Sequence, residues 1–412
     1  MNNIYTGIEL GSDSIKIVVS EKVNNKFHVL ASVSENSMGV SRGFISNTKL
    51  CVDSCKRALK KIDEMLGIKI THAVLCIPGD NCKMDIVLGS VDVVDPLEIT
   101  GEDIVNVLND ALKGQSQDNY EIVTSIPINF KVDDRDKIVD PKGMKGNTLE
   151  TKVIITKVPK ESLYRLLEVL KLSGVEVVDI CFKSTGDYFT IKNKKYDSQV
   201  GAIINIGKEC TNVSVFNKGI QIKNSIIPVG SINVDNDISY IYHTDFDTSR
   251  KIKEEFCVAM SSYADSNEEL DVTLDDGTQK NLNQYDVSNV VEARVSEILK
   301  LAKNEIKNLT NREISYIIVT GGLSEIAGFQ YLVDELLGRE SRVCNITNIG
   351  VRHNKYSSVL GIIKYFDDKL CLRGRKYNMF DEDEIRGLIF SGEKTINNDN
   401  IIGKVFGHFF DN

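Results

Sequence analysis

Residues 7–19, GIELGSDSIKIVV, and residues 202–216, AIINIGKECTNVSVF, carry one pattern: an apolar run, a glycine-led turn, then a second run rich in β-branched side chains. Runs this short around turns this tight read as antiparallel hairpins. KFHVLASV, after the turn Asn24-Asn25, extends the first hairpin to a three-stranded meander, and IQIKNSIIPVG, after Asn217-Lys218-Gly219, does the same for the second. A chain that opens one architecture twice, with helical stretches after each opening, is expected to fold as two α/β lobes facing each other across a cleft.

The 412 residues exceed the usual size of one core, which agrees with two lobes or a lobe with insertions. A hydrophobic share of 42% and a charged share of 26% are those of a globular protein rather than a disordered one. The formal net charge is -9 and the lysines are scattered, so the electrostatic footprint of a nucleic-acid binder is missing. Nine cysteines without a C-x-x-C pair and five histidines far apart in sequence argue for reduced, mostly buried thiols and against a zinc site. The opening MNNIYTGIELGSDSIK has no basic segment followed by an apolar one, so export is not expected. No run of eighteen apolar residues exists, so any membrane contact is expected to be peripheral.

Helical periodicity fills the space between the meanders. Residues 48–66 place Leu50, Cys55, Ala58, Leu59, Ile62, Met65 and Leu66 at helical spacing, with Thr48 as N-cap and Gly67 as the stop. Pro159 opens a second helix, which Gly174 closes, with Leu163, Leu166, Leu167 and Leu170 inward. Residues 287–308 give the longest helix. All three read as packing helices. The stretch between the first helix and the Pro159 helix has elements of its own, THAVLCIP, KMDIVLGSVDVVD, EDIVNVLNDALK, YEIVTSIPINFKV and TKVIITKVP, and reads as a small α+β insertion. Residues 265–284 are polar and read as an exposed hairpin or loop.

Two hairpin turns facing one cleft suit a nucleoside triphosphate, because turn N–H groups point at phosphate oxygens and small residues admit them. The candidates are Gly11, Ser12, Asp13 and Ser14 in one turn and Gly207, Lys208 and Thr211 around the other. Either alone reads more readily as an ordinary β-turn. A third piece, YIIVTGGLSEIAGFQYLVDELLG, is a buried strand, the pair Gly321-Gly322 and a helix; glycines at a strand's carboxyl end let a flat base lie on bare backbone. A purely structural turn stays open there as well.

The order of these pieces resembles the actin and sugar-kinase superfamily: a phosphate-1 hairpin (GIELGSDSIKIVV), an inserted subdomain, a phosphate-2 hairpin (AIINIGKECTNVSVF) and an adenosine loop (IIVTGGLSEIAGF). Within it the chain is most similar to the FtsA family of bacterial division proteins, from Tyr5 to about Phe366, including SRGFISN, PVGSINVDNDI and KYSSVLGIIKYF. The resemblance implies an actin-like two-lobed fold of duplicated ribonuclease-H-like domains, with an inserted α+β subdomain and a C-terminal amphipathic helix. It divides the chain into a first core of residues 1–82 and 160–196, an inserted subdomain of 83–159, and a second core of 197–230 and 312–370. A second insertion covers 231–311, a linker 371–399 and a membrane helix 400–412. It implies ATP and Mg²⁺ as ligands. The nucleotide would be held by the turn residues already named, with Lys16, Asn205, Gly230, Lys253 and Leu323, and Glu9 would meet the metal through water.

Departures from the family's pattern bear on turnover. Its phosphate-2 turn is normally an aspartate, three glycines and a threonine, whereas here Asn205 stands for the aspartate and Glu209 lies within the turn. A carboxylate ~4 Å from a γ-phosphate oxygen would be repelled by roughly 4 kcal/mol in a partly screened site, with Lys208 offsetting it. In the helix that usually supplies a ribose-binding glutamate and a lysine, Arg250 and Lys253 align, leaving the acid missing. FKSTGDY, residues 182–188, lacks an acid or glutamine where relatives orient water. Binding with little or no ATPase activity is the expectation.

From Arg373 to Asn400 the chain loses periodicity and reads as a linker. In IIGKVFGHFFDN, Ile401, Ile402, Val405, Phe406, Phe409 and Phe410 share one half of a helical wheel, a face suited to the acyl boundary of a bilayer or to packing on protein. The resemblance favours the cytoplasmic membrane, with the protein cytoplasmic and peripheral on the inner face at the division site. It also implies self-assembly into filaments, later divisome membrane proteins as partners, and binding of the FtsZ C-terminal tail at Arg294, which reads equally as a solvated surface charge. The competing functions are a PilM-like adaptor of pilus assembly, which lacks such a tether, and a small-molecule kinase of the same superfamily, which needs a cleft carboxylate and an intact phosphate-2 turn.

Overall fold

The computed structural model describes residues 3–115, 118–372 and 377–380. They form two compact units. One contains the described residues up to Gly79, Arg165–Gly219 and the described residues from Asn224 onward; the other contains Asp80–Tyr164 with Ile220–Lys223.

In the first unit the expected duplication is present. Strands β1 (Asn3–Leu10), β2 (Ser14–Val23) and β3 (Lys26–Asn36) form an antiparallel meander. After a two-residue ladder of β4 (Val40–Ser41) and β5 (Phe44–Ile45), helix α1 (Thr48–Leu66) leads to β6 (His72–Ile77), which runs parallel to β1. The N-cap of α1 is Asn47, not Thr48: its side chain accepts from Leu50 N–H at 3.1 Å. Leu50 and Met65 are exposed, because the buried stripe is centred on Cys51, Cys55, Ala58 and Ile62 and leaves both at its edges. THAVLCIP, read into the insertion, is β6 of this sheet, buried from Ala73 to Ile77 as a parallel strand covered on both faces is.

The second unit follows β6. Strands β7 (Lys83–Asp92), β8 (Tyr120–Val132), β9 (Arg135–Ile138) and β10 (Thr148–Pro159) pair antiparallel in the order β7-β10-β8-β9. Helix α2 (Gly101–Leu112), between β7 and β8 in sequence, covers one face through Val107 and Ala111. Thr100 and Asp103 close its start as a reciprocal capping box.

The chain continues through α3 (Lys160–Leu172), β11 (Glu176–Phe182) and α4 (Lys183–Ile191). β11 pairs parallel with β6 and completes the order β11-β6-β1-β2-β3. The second meander, β12 (Val200–Ile206), β13 (Thr211–Asn217) and β14 (Ile220–Ile227), is extended by β17 (Tyr316–Thr320) and β18 (Ser341–Val343) into the order β14-β13-β12-β17-β18. Both sheets therefore share one plan: a meander whose first strand continues into two parallel strands.

Between β14 and β17 come α5 (Ser231–Tyr242), α6 (Phe246–Lys251), the exposed hairpin of β15 (Glu269–Thr273) and β16 (Gln279–Asn283), and the long α7 (Gln284–Leu309). Val287, Val291, Val295, Ile298 and Ala302 of α7 pack in one core with Ala202, Ile204 and Ile206 of β12 and with Phe329 and Val333 of α8 (Phe329–Leu337). Helix α9 (Ser357–Leu372) crosses α4 so closely that a Cβ on Gly361 would lie 1.6 Å from Gly186 O.

Candidate functional site

Both expected turns close in the same way. Gly11 N–H donates to Ser14 O at 3.2 Å, and Gly207 N–H donates to Cys210 O at 3.0 Å. Behind the second turn, the first N–H groups of α5 reach its carbonyls, from Ser231 to Gly207 O and from Ile232 to Lys208 O, each at 2.9 Å. Gly230 allows this approach, since a Cβ there would sit 2.5 Å from Lys208 O. Thr211 Oγ1 donates to Val229 O at 2.8 Å. Thr211 and Gly230 thus brace the turn from behind and do not line the cavity it faces. The third piece is held by Gly321, whose φ of +96° and close approach to Ile206 O admit only glycine; beside it Gly322 faces open space.

All three pieces line one cavity of about 530 Å³ within the first unit. Of the residues expected from sequence, Glu9, Gly11, Ser12, Asp13, Ser14, Lys16, Asn205, Gly207, Lys208, Lys253, Gly321, Gly322 and Leu323 are on its wall. Sequence reasoning missed Arg42, Lys183, Glu254, His353 and Lys355, which also line it. The signals were there: Arg42 lies in SRGF, Lys183 opens FKSTGDY, and Lys355 opens KYSSV. Close to the position read as lacking the family's acid, Glu254 is on the wall, one residue beyond Lys253, and pairs with Arg250 Nε at 2.9 Å.

The charges are arranged in pairs. Glu9 lies between Lys183 Nζ at 3.1 Å and Lys16 Nζ at 3.5 Å. Burial alone would raise the Glu9 carboxyl, but the two ammonium groups outweigh it and hold it below the usual carboxylate range. Burial would likewise lower Lys183, and the Glu9 and Asp187 carboxylates raise it instead. Glu9 is therefore the counter-ion of two lysines. Asp13 accepts from Arg250 at 2.9 and 3.4 Å and lies 3.9 Å from Lys208 Nζ. Those cations, with Lys16, outweigh the burial of Asp13 and lower its pKa. Lys253 meets Asp235 at 2.6 Å with both side chains almost wholly buried, and burial raises the Asp235 carboxyl despite the lysine. Burial lowers His353 and Lys355; the charge of Lys16 also acts on Lys355, which has no ion pair among the described residues.

At the second turn the expected direction of Glu209 changes. Glu209 Oε2 accepts from Arg42 N–H at 2.5 Å, and the side chain is not on the cavity wall, so its carboxylate is turned onto the Arg42 backbone instead of into the cavity. The acid that FKSTGDY does carry, Asp187, accepts from Asn205 Nδ2 at 2.8 Å, Ser357 Oγ at 2.6 Å and Ser358 Oγ at 2.7 Å.

Arg294 of α7 lies outside the cavity and is not a free surface charge. It forks onto Asp237 of α5 at 2.6 and 3.0 Å and also contacts Glu297. Ile401, Ile402, Val405, Phe406, Phe409 and Phe410 lie outside the described residues. The stretch read as a linker includes a docked segment: Asn378 Oδ1 accepts from Ile4 N–H at 3.0 Å, and Met379 and Phe380 are buried. Among the described residues no helix is long and apolar enough to cross a membrane, and no cluster of His, Cys, Asp and Glu is arranged to hold a metal ion.

Comparison with known proteins bears on this arrangement. A family model described as "Cell division protein FtsA" matches residues 202–361, and one described as "SHS2 domain inserted in FTSA" matches residues 79–156, together more than half of the chain. Cell division protein FtsA of Bacillus subtilis (strain 168) is 28% identical over 378 residues, 91% of this chain and 86% of that protein. Cell division protein FtsA of Enterococcus hirae is 25% identical over 365 residues, 88% of this chain and 83% of that protein. Among solved structures, the PilM-PilN type IV pilus biogenesis complex superposes with a TM-score of 0.59 at 13% identity, covering 90% of this chain and 99% of that chain. MreB5 of Spiroplasma citri bound to ADP gives 0.55 at 13% identity, covering 90% and 98%. At such identities the structures establish the fold, which is actin-like. With that fold, a domain inserted after β6 and similarity to FtsA proteins over nine-tenths of its length, the chain belongs to the FtsA family of cell-division proteins.

Proposed function

We propose that the protein is a membrane-tethered, actin-like scaffold of bacterial cell division that binds ATP with little or no hydrolysis, polymerises, and anchors FtsZ to the inner face of the cytoplasmic membrane at the division site. The observation that carries the nucleotide reading is the convergence of two duplicated turns and the Gly321-Gly322 loop on one cavity, with Lys16, Lys183, Lys208 and Arg250 toward its phosphate end. These residues fit a nucleoside polyphosphate: bare backbone for a base, cations and turn N–H groups for phosphates. They fit Mg²⁺ less directly, because Glu9 is held by two lysines; the metal would be held by phosphates and water, with Glu9 at one remove.

Weak turnover has its own support. Activating water needs a carboxylate or amide free to accept a proton or orient the attack. Asp187 already accepts three hydrogen bonds, the Asn205 amide is turned onto it, and Glu209 is bound to the Arg42 backbone.

Calorimetric titration with ATP and Mg²⁺, followed by phosphate-release assays, tests the reading. Binding in the micromolar range with negligible steady release supports it; hydrolysis at ordinary kinase rates rules out the scaffold reading of the site. For the tether, residues 400–412 are deleted and the protein is sedimented with anionic liposomes. Loss of co-sedimentation is expected, and unchanged co-sedimentation refutes the tether. Electron microscopy on lipid monolayers with the FtsZ tail peptide reads polymerisation and anchoring together.

A further inference from the structure

The phosphate end of the cavity already contains an anion of the protein's own. Asp13 projects from the first turn, takes two hydrogen bonds from the Arg250 guanidinium, and lies 3.9 Å from the ammonium of Lys208 in the second turn. Its neighbours in that turn, Gly11, Ser12 and Ser14, are uncharged, so the aspartate is the only carboxylate the turn brings to this end. Of the other cations on the wall, Lys355 has no ion pair among the described residues, and three more are committed elsewhere. Lys16 and Lys183 share Glu9, and Lys253 is buried against Asp235. For Lys208 and Arg250 an incoming phosphate would compete with Asp13, and for Arg250 with Glu254 as well.

We propose that Asp13 is a resident competitor for the polyphosphate: a nucleotide enters fully only when the carboxylate releases Arg250 and Lys208, so this residue sets the affinity of the site and disfavours triphosphate more than diphosphate. This rests on the nucleotide reading of the cavity. Asp13 is about a third exposed, so it has room to turn away without opening the core. A ligand with its base at the glycine pair extends toward the two turns with each added phosphate, so the terminal group of a triphosphate meets Asp13 most closely. Removing the charge relieves repulsion, frees Lys208 and leaves Arg250 with Glu254 alone.

The test is calorimetry on the full chain, wild type against Asp13→Asn, with ATP and with ADP in the presence of Mg²⁺. The expected result is ATP binding tightened by about tenfold or more and ADP by a smaller factor. Thermal melting supplies a second measure: without nucleotide Asp13→Asn melts below wild type, and with saturating ATP it melts above it. Asp13→Ser serves in the same titrations if the asparagine variant does not fold. Wild type that binds ATP while the neutral variants bind no tighter overturns the proposal and leaves the nucleotide reading intact. Weaker binding by the variants overturns it too, since Asp13 would then be a ligand-holding group. No binding of either nucleotide by wild type or by either variant removes the nucleotide reading and this proposal together.

Discussion

Asn205 donates its side-chain amide to the carboxylate of Asp187, 2.8 Å away, in the buried layer beneath the second turn. The other oxygen of Asp187 accepts from Ser357 and Ser358, so the carboxylate is fully engaged by neutral donors. Burial raises its pKa despite these bonds and the nearby Lys183 charge. An amide at position 205 is the residue that satisfies this acid; a second acid would face it.

Asn205→Asp therefore destabilises the fold by roughly 2–4 kcal/mol at neutral pH without producing ATPase activity. The two acids share one site, which raises the folded pKa of the pair above the unfolded value. The penalty is then full at pH above the folded pKa and is relieved as pH falls toward the unfolded value. Denaturant melts at neutral and mildly acidic pH check both parts; an equally stable variant with steady phosphate release contradicts them.

Lys253 and Asp235 form a nearly dry ion pair, and removing one partner strands the other. Lys253→Met alone is expected to cost about 3–5 kcal/mol, and combining it with Asp235→Leu recovers most of that loss. Equilibrium unfolding of the two single variants and the double variant measures the coupling. Any loss of nucleotide binding in Lys253→Met has to be read beside the double variant, since the single change acts on the fold first.

The Asp13 pair gives a pH signature. Its folded pKa is lowered, so its contribution is present above the unfolded value of about 3.9 and is lost as pH falls through the folded value. Partial exposure limits the contribution to roughly 1 kcal/mol. Wild type should melt above Asp13→Asn at neutral and mildly acidic pH, and the two curves should converge below about pH 4. A gap that persists into strong acid assigns the difference to packing instead.

Arg294 is already bound to Asp237, which changes how its proposed contact with the FtsZ tail is tested. Arg294→Glu faces Asp237 and Glu297 with a third acid, costs about 1 kcal/mol after allowance for solvent screening, and abolishes peptide binding. Exchanging the pair, Asp237→Arg with Arg294→Asp, restores stability but leaves the cation displaced. Fluorescence anisotropy with the tail peptide is expected to show no recovery; full recovery would mean that only net charge matters there.

Much of the fold was legible because its signals are local. Gly11 and Gly207 marked both turns, alternation marked the meanders, and Gly321-Gly322 marked the third loop. What sequence could not supply was the pairing of distant charges. Nothing in the neighbourhood of Glu9 announces Lys183, nor does Asp13 announce Arg250, 237 residues away. Side-chain direction was hidden too: Glu209 reads as a charge aimed at phosphate until its bond to the Arg42 backbone is seen. Asp187 was passed over because a helix position says nothing of the serines from α9 that meet it.

The glycine pair separates fold from binding within two adjacent residues. At Gly321 a side chain meets both an adverse φ of +96° and Ile206 O, 2.3 Å from the Cβ position, with backbone on each side and nowhere to relax. Gly321→Ala is expected to cost about 2 kcal/mol or more. At Gly322 a Cβ meets nothing within 4 Å, so Gly322→Ala should leave stability within about 0.5 kcal/mol of wild type. A larger group at Gly322 projects into the space where a flat base would lie on the loop. Gly322→Val should thus keep the melting temperature and lose ATP affinity, whereas inorganic triphosphate, which has no base, should bind as it does to wild type. If valine leaves ATP affinity unchanged, the base does not rest on this loop, and the cavity is occupied from its cationic end alone.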